Sequence, residues 1–137
     1  MIILKDAQIE VHNARSMVKP LRQWFTCLDE VDRHKEHFFV ALLDIRLRVK
    51  LVDVASVGIL NASLVHPREV FVRAITHCAA SILIAHNHPS GVCEPSDADI
   101  TMTKRLREAG DILGISLQDH IIFTAENYFS FSETGIF

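Results

Sequence analysis

The 137-residue sequence predicts an α/β fold in which helices cover a mixed β-sheet. Three observations support this prediction. Short runs of β-branched and aromatic residues recur along the chain, and stretches with apolar residues every three or four positions alternate with them. In addition, 49% of the residues are hydrophobic, which is enough for one compact core in a chain of this length. We therefore expect an N-terminal segment and helix in residues 1–30 and one globular domain in residues 31–137.

The first predicted helix lies between Ser16 and Leu28, where apolar residues follow helical spacing. Because proline is tolerated only near a first helical turn, Pro20 places the start of this helix around Val18. The residues that follow are typical of a polar connector and then a β-hairpin. These predicted segments are the connector over 29–35 and strands over 36–44 and 48–55.

A second helix is predicted from Pro67 to Ala79, because proline suits the first helical position and apolar residues then recur on one face. The apolar run 81–85 is typical of a buried strand. After a loop through Pro95, helical spacing resumes and continues to Gly114, which is a suitable residue to end a helix. The chain is predicted to finish with strands over 115–123 and 128–132.

Composition limits the classes of partner. A net charge of −3 provides no overall basic field for phosphates, so nucleic-acid binding would need a local patch. The two possible patches are better interpreted as solvated faces; they are Arg46, Arg48 and Lys50, and Lys104, Arg105 and Arg107.

The sequence favours a cytoplasmic protein. Its N-terminus resembles no secretory signal, and no stretch reaches the roughly 18 uncharged residues of a membrane span. Cys27, Cys78 and Cys93 are widely spaced and include no C-x-x-C pair, so reduced thiols are expected. We expect no membrane partner.

The motif HNHPSG follows the buried strand directly and places two imidazoles at its end. Since side chains alternate along an extended chain, His86 and His88 should point to the same side, as two metal ligands would. An H-x-H triplet alone is weak, because it arises by chance with a probability of about one half in such a composition. The longer pattern H-x-H-P-x6-S-x-x-D has a chance expectation on the order of 10⁻⁴.

Asp99 completes a candidate metal-binding set. The segment Ser96-x-x-Asp99 is close to a capping box, and capping alone could explain it. However, Asp99 precedes Met102 by three residues and Leu106 by seven, which places its carboxylate at the head of an apolar stripe. A carboxylate there requires a cation or strong hydrogen-bond donors, and a divalent metal held with His86 and His88 would supply the cation.

Two histidines and an aspartate with one open position match the catalytic mode of zinc, in which a water takes the fourth place. A base outside the ligand set would assist that water. Glu36, Glu69 and Glu94 are the candidates. The spacing mildly prefers Glu36, because strand alternation puts it on one face with Phe38.

HNHPSG with EPSDAD, NASLVHPREV and LQDHII resembles the RadC family, a bacterial branch of the JAB (JAMM, or MPN-plus) metalloproteases. The similarity covers roughly residues 31–132. It implies the JAB/MPN fold, a curved mixed β-sheet with flanking helices that is related in layout to cytidine deaminases. It also implies hydrolysis of a peptide or isopeptide bond by metal-activated water. The roles implied are one zinc ion bound by His86, His88 and Asp99, a general base at Glu36, and an oxyanion-holding hydroxyl at Ser96.

Two departures from the family pattern affect the interpretation. Val92-Cys93 replaces the acid or small polar residue that usually follows the glycine, which puts the loop's substrate contacts in doubt. The chain also has no room for the helix-hairpin-helix region of members called DNA repair proteins. The repair label therefore gets little support, and a DNA-repair-associated accessory protein with a structural or vestigial metal site is kept as the alternative to the hydrolase. A zinc nucleobase deaminase would need H-x-E with P-C-x-x-C, and the sequence has neither.

Several residues outside the predicted ligand set also have predicted roles. Asp119-His120 could support a metal ligand from outside the ligand set. His66 and Arg68 could approach the site, although packing at the start of a helix explains them better. Cys93 is taken as a surface thiol, and the remaining histidines as ordinary ones; these are His12, His34, His37 and His77. The sequence identifies neither a particular peptide or protein substrate nor an oligomeric state.

Overall fold

A computed structural model describes residues 1–5, 8–58 and 65–137. The strands are β1 (Ile2–Lys5), β2 (Glu36–Leu43), β3 (Val49–Gly58), β4 (Ser81–Asn87), β5 (Ser116–Phe123) and β6 (Tyr128–Ser130). The helices are α1 (Arg15–Thr26), α2 (Glu30–Arg33), α3 (Pro67–Thr76), α4 (Asp97–Leu113) and α5 (Phe131–Thr134). Within these residues no helix combines the length and apolar character needed to cross a membrane.

The strands of the described residues form one mixed sheet in the order β1-β3-β2-β4-β5-β6. The pairing of β4 with β5 is parallel, and the other neighbours are antiparallel. The predicted hairpin of β2 and β3 is confirmed. Its turn is held by Asp44, whose carboxylate accepts the backbone N–H groups of Arg46 and Arg48. The predicted α/β class with a mixed sheet is therefore correct.

Side-chain alternation gives the sheet two apolar faces. Phe39 and its neighbours two residues apart pack on one face with α1, through Met17 and Leu21. Phe38 and the alternate set pack on the other face with α3 and α4, through Phe71 and Leu106 among others. Helices thus cover both faces of the sheet, and the face that carries Phe38 is the one beneath α4.

The predicted start of the first helix is wrong. The helix α1 begins at Arg15, so Pro20 lies inside it instead of near its first turn. Asn13 explains the earlier start, because its carbonyl and side-chain oxygens both accept the backbone N–H of Ser16. Burial of the apolar face of α1 against the sheet then outweighs the hydrogen bond that Pro20 cannot donate.

Several other boundaries differ from prediction. The connector contains the short helix α2, which is capped by the side chain of Asp29. The helix α3 ends at Thr76, and Cys78 follows with a φ of 53° that ends helical geometry. The last strand stops at Ser130, whose hydroxyl caps α5. The sequence also gave no indication of the edge strand β1.

The helix α4 follows its prediction closely. It begins after the loop through Pro95 and ends at Gly114, which has a φ of 73°. That left-handed conformation favours glycine and stops the helix. The strand β4 runs two residues further than predicted, to Asn87, so that His86 lies within it and His88 directly after it.

Candidate metal centre

The two motif histidines and Asp99 meet where β4 ends and α4 begins. His86 lies opposite Phe38 in the pairing of β2 with β4, so both side chains face α4. Its ring is buried, with 1% of the side chain exposed, whereas His88 and Asp99 are 16% and 14% exposed. The end of a buried strand and the first turn of a helix therefore bring all three predicted ligands together.

The three residues offer ligand atoms that all lie within 4.8 Å of one another. The Nε2 atoms of His86 and His88 are 2.9 Å apart. Each Nε2 lies 3.5 Å from one oxygen of the Asp99 carboxylate. The prediction that these three side chains converge on one centre is confirmed.

The donor set fits a divalent metal. The Nδ1 atom of His88 lies 2.8 Å from the carbonyl oxygen of Val92. Because a carbonyl oxygen can only accept, Nδ1 carries the proton, and the Nε2 of the neutral ring presents a lone pair to the centre. Imidazole nitrogen and carboxylate oxygen are ligand types that zinc takes at distances of roughly 2.0–2.2 Å.

The electrostatics of the centre also favour a cation. Burial raises the pKa of Asp99, but the neighbouring imidazoles of His86 and His88 outweigh burial and hold that pKa well below its ordinary value. The neighbouring Asp99 carboxylate raises the pKa of His88, and burial opposes this only in part. The carboxylate is therefore ionised at neutral pH, and it attracts positive charge to the place where the two imidazoles meet.

Ser96 lies beside the centre as the N-cap of α4. Its hydroxyl oxygen accepts the backbone N–H of Asp99 at 3.1 Å, and its own N–H donates to the Asp99 carboxylate at 2.9 Å. The capping box considered in the sequence is thus present. It has a second effect, because it fixes the orientation of the carboxylate toward the two histidines.

Glu36 is best placed of the three candidate bases. It opens β2 two residues before Phe38, so alternation puts its side chain on the same sheet face as His86. Its charge contributes to the raised pKa of His88. Glu69 and Glu94 are exposed, whereas Glu36 is half-buried. The role of Glu36 as a base stays a prediction.

Asn87, the middle residue of the motif, has a role that the sequence analysis missed. Its side-chain oxygen accepts the backbone N–H of His37 at 2.6 Å, and its amide nitrogen donates to the carbonyl of Lys35 at 3.0 Å. These two bonds grip the backbone on either side of Glu36. Strand alternation could have predicted this role, because it directs the Asn87 amide to the face opposite His86 and His88.

His120 lies directly behind His86, as the sequence analysis considered. Its Nε2 is 2.8 Å from Nδ1 of His86, and its Nδ1 is 2.5 Å from the hydroxyl of Thr103, a residue that sequence reasoning missed. Burial lowers the pKa of His120 well below its ordinary value, which keeps the ring neutral.

Asp119 does not share this supporting position. Its carboxylate accepts the Ser130 hydroxyl at 2.5 Å and the Ser132 N–H at 2.9 Å, so it organises the turn into α5. Burial raises the pKa of its carboxyl group. Of the predicted pair Asp119-His120, His120 is the member that contacts a predicted ligand. Among the described residues, the Asp119 carboxylate bonds to Ser130, Ser132 and the backbone N–H of His120.

The remaining predicted residues have ordinary surroundings. His66 precedes α3 and Arg68 is exposed in its first turn, as expected for residues at the start of a helix. The thiol of Cys93 contacts the hydroxyl of Thr124 at 3.6 Å. Residues 61–64, which carry part of the NASLVHPREV resemblance, lie outside the described residues. His37 packs among aromatic rings, with the ring centroid of Trp24 at 5.7 Å.

A cleft of about 340 Å³ reaches the centre at His88, and His86, Asp99 and Glu36 do not line it. His88 and Pro89 form one of its walls, and Phe25 and Phe123 add aromatic surface. Arg33 contributes a cation to the lining. The volume of the cleft is enough for one or two amino-acid side chains.

The fold and the site together define a JAB/MPN-type α/β domain with a candidate metal centre. A family model described as the RadC-like JAB domain matches residues 12–136. The chain belongs to this family. The match begins before α1, so it extends further toward the N-terminus than the predicted range of residues 31–132.

Curated relatives agree with the family. The chain is 48% identical over 103 residues to a UPF0758 protein of Caldanaerobacter subterraneus, covering 75% of this chain and 44% of that protein. It is 53% identical over 100 residues to a UPF0758 protein of Alkaliphilus oremlandii, covering 73% and 43%. For a UPF0758 protein of Methanospirillum hungatei the identity is 52% over 103 residues, covering 75% and 46%. The chain spans less than half the length of these relatives.

Proposed function

We propose that this domain is a zinc-dependent hydrolase that cleaves peptide or isopeptide bonds. The observation that carries the proposal is the convergence of His86, His88 and Asp99 on one centre, with Glu36 on the same face of the neighbouring strand. Three ligands leave a position open for water or substrate, which is the arrangement of catalytic zinc sites. The family supports the same class of chemistry.

Each residue has a distinct task in this proposal. His86, His88 and Asp99 would hold zinc, which when bound lowers the pKa of a water toward about 7 and polarises a substrate carbonyl. Glu36 accepts a proton from the attacking water and delivers it to the leaving amine. Ser96 accepts the Asp99 N–H, so its own hydroxyl proton is free to donate to a developing oxyanion.

The cleft beside His88 would receive the substrate. Its aromatic surface suits an apolar side chain next to the cleaved bond, and Arg33 in its lining suits an acidic neighbour. We propose a peptide or protein substrate on this basis. The proposal places the protein in the cytoplasm, since Cys27, Cys78 and Cys93 are free thiols.

The test combines metal analysis with turnover. We expect one zinc per chain in purified protein and cleavage of a library of quenched fluorescent peptides and lysine isopeptide conjugates. Glu36→Gln should lose at least about 100-fold in turnover while zinc is retained, because only the proton acceptor changes. Glu94→Gln, at an exposed glutamate near the site, is the matched control and should stay active. Absence of zinc, or full activity in Glu36→Gln, would contradict the proposal.

DNA binding remains the alternative from the sequence, and three of the six cations considered for it have other partners. Arg48 pairs with Asp44 at 3.0 Å, Lys50 donates to the carbonyl of His77, and Arg107 lies over the ring of Phe137. These contacts favour solvated or structural roles. Salt-dependent DNA binding that survives loss of His86 and His88 would support the alternative instead.

A further inference from the structure

We propose that Thr103 and His120 are positioning residues that fix His86 in the tautomer whose Nε2 lone pair faces the metal centre. The inference rests on the proposed metal site and identifies how the buried ligand is prepared for it. The inference rests on three hydrogen bonds, and each bond fixes which atom is the donor in the next. They run from the backbone of Asp99 through Thr103 and His120 to His86.

The first bond joins two residues one turn apart in α4. The hydroxyl of Thr103 lies 2.7 Å from the backbone carbonyl oxygen of Asp99. A carbonyl oxygen has no proton to give, so Thr103 donates its only hydroxyl proton there. What the hydroxyl offers to any further neighbour is then a lone pair.

The second bond fixes the proton on His120. Its Nδ1 is 2.5 Å from the Thr103 hydroxyl oxygen, and that oxygen can now only accept. Nδ1 of His120 therefore carries a proton, and Nε2 of the neutral ring keeps a lone pair. The ring is 0% exposed and lies flat on Phe131, with centroids 4.7 Å apart and planes 7° from parallel. Water does not reach it, and the stacking opposes rotation of its plane.

The third bond transmits this direction to the ligand. Nε2 of His120 lies 2.8 Å from Nδ1 of His86 and can only accept. Nδ1 of His86 therefore donates, which leaves its Nε2 unprotonated and directed at His88 and Asp99. His88 reaches the same state by a shorter route, through the carbonyl of Val92.

The arrangement links two ligands through α4. Asp99 contributes its carboxylate to the centre, and its backbone carbonyl accepts the first of the three hydrogen bonds. A partner that orients a metal-bound histidine in this way typically changes metal affinity by about 10- to 100-fold. We expect loss of the Thr103 hydroxyl to have an effect of that size, although it touches neither the metal nor His86.

The test uses a matched pair of variants with two readouts. Thr103→Val keeps the shape of the side chain and removes the hydroxyl, whereas Thr103→Ser keeps the hydroxyl. Zinc affinity is measured by competition with a chromophoric chelator, and histidine tautomers by long-range ¹H–¹⁵N NMR on metal-free protein. Thr103→Val should bind zinc about 10- to 100-fold more weakly and show mixed tautomers at His86 and His120. Thr103→Ser should match the parent in both readouts.

Two results would overturn the inference. One is a Thr103→Val variant with zinc affinity within twofold of the parent and unchanged ring tautomers. The other needs no variant: a parent protein whose His86 carries its proton on Nε2 in the metal-free state. The NMR measurement distinguishes this inference from the proposed function, because a parent that shows the inferred tautomers but binds no zinc would defeat only the function.

Discussion

The side-chain amide of Asn87 provides the sharpest test of how the site is assembled. Asn87 is 2% exposed and His37 is 3% exposed, so Asn87→Ala leaves the His37 N–H buried without its acceptor. An unsatisfied buried donor costs about 1–3 kcal/mol, and loss of the bond to Lys35 costs about 1 kcal/mol more. We expect the free energy of unfolding to fall by about 2–4 kcal/mol.

Urea unfolding followed by circular dichroism measures this change. Asn127→Ala is the control, because Asn127 is exposed and its described hydrogen bonds come from its backbone; it should change stability by less than about 0.5 kcal/mol. The two variants should therefore separate clearly in their midpoints. Coincident midpoints would refute the reasoning, since they would show that the amide bonds contribute nothing to the fold.

The same variant has a functional consequence. The two bonds of Asn87 hold the backbone on both sides of Glu36, and displacement of a catalytic group by about 1 Å can cost on the order of 100-fold in rate. Peptide turnover by Asn87→Ala should therefore fall by more than its zinc affinity does. Equal losses of turnover and affinity would indicate that Asn87 supports the metal ligands instead of Glu36.

Substitutions at three further positions test the packing, the cap and the burial. Gly110→Ala should destabilise by about 1–3 kcal/mol in thermal unfolding, because an added Cβ meets the backbone carbonyl of Ile115; a gain in stability would contradict this contact. Ser96→Ala should cost about 1 kcal/mol through loss of the cap and should also lose turnover if the hydroxyl holds the oxyanion, whereas Ser96→Thr keeps a capping hydroxyl and should retain both. Burial lowers the pKa of His37 from 6.5, so the unfolded chain takes up its proton first as the pH falls. The stability of the metal-free parent should therefore decline relative to that of His37→Phe as the pH falls below about 6.5. Urea midpoints measured at several pH values would show this decline. Parallel pH profiles of the two proteins would exclude the effect.

The sequence predicted those elements and ligands that depend on residues close together in the chain. Alternation along a strand placed His86 and His88 on one side, and helical spacing put Asp99 at the head of the buried stripe of α4. The hairpin of β2 and β3 and the end of α4 at Gly114 followed from turn and capping chemistry. Each of these features depends on residues a few positions apart, so periodicity and composition are sufficient to reveal them.

Tertiary structure alone decided the support for the site. Asn87 bonds to a backbone group 50 residues away, and His120 lies 34 residues from His86 and 17 from Thr103. The helix that continues through Pro20 likewise depends on burial against the sheet, and the edge strand β1 depends on pairing with β3. Local patterns do not encode such partners, because a buried donor or acceptor is satisfied by whichever group packing brings next to it. The sequence was therefore sufficient to predict the ligands, whereas the hydrogen bonds that orient them are determined by the pairing of strands that are distant in the sequence.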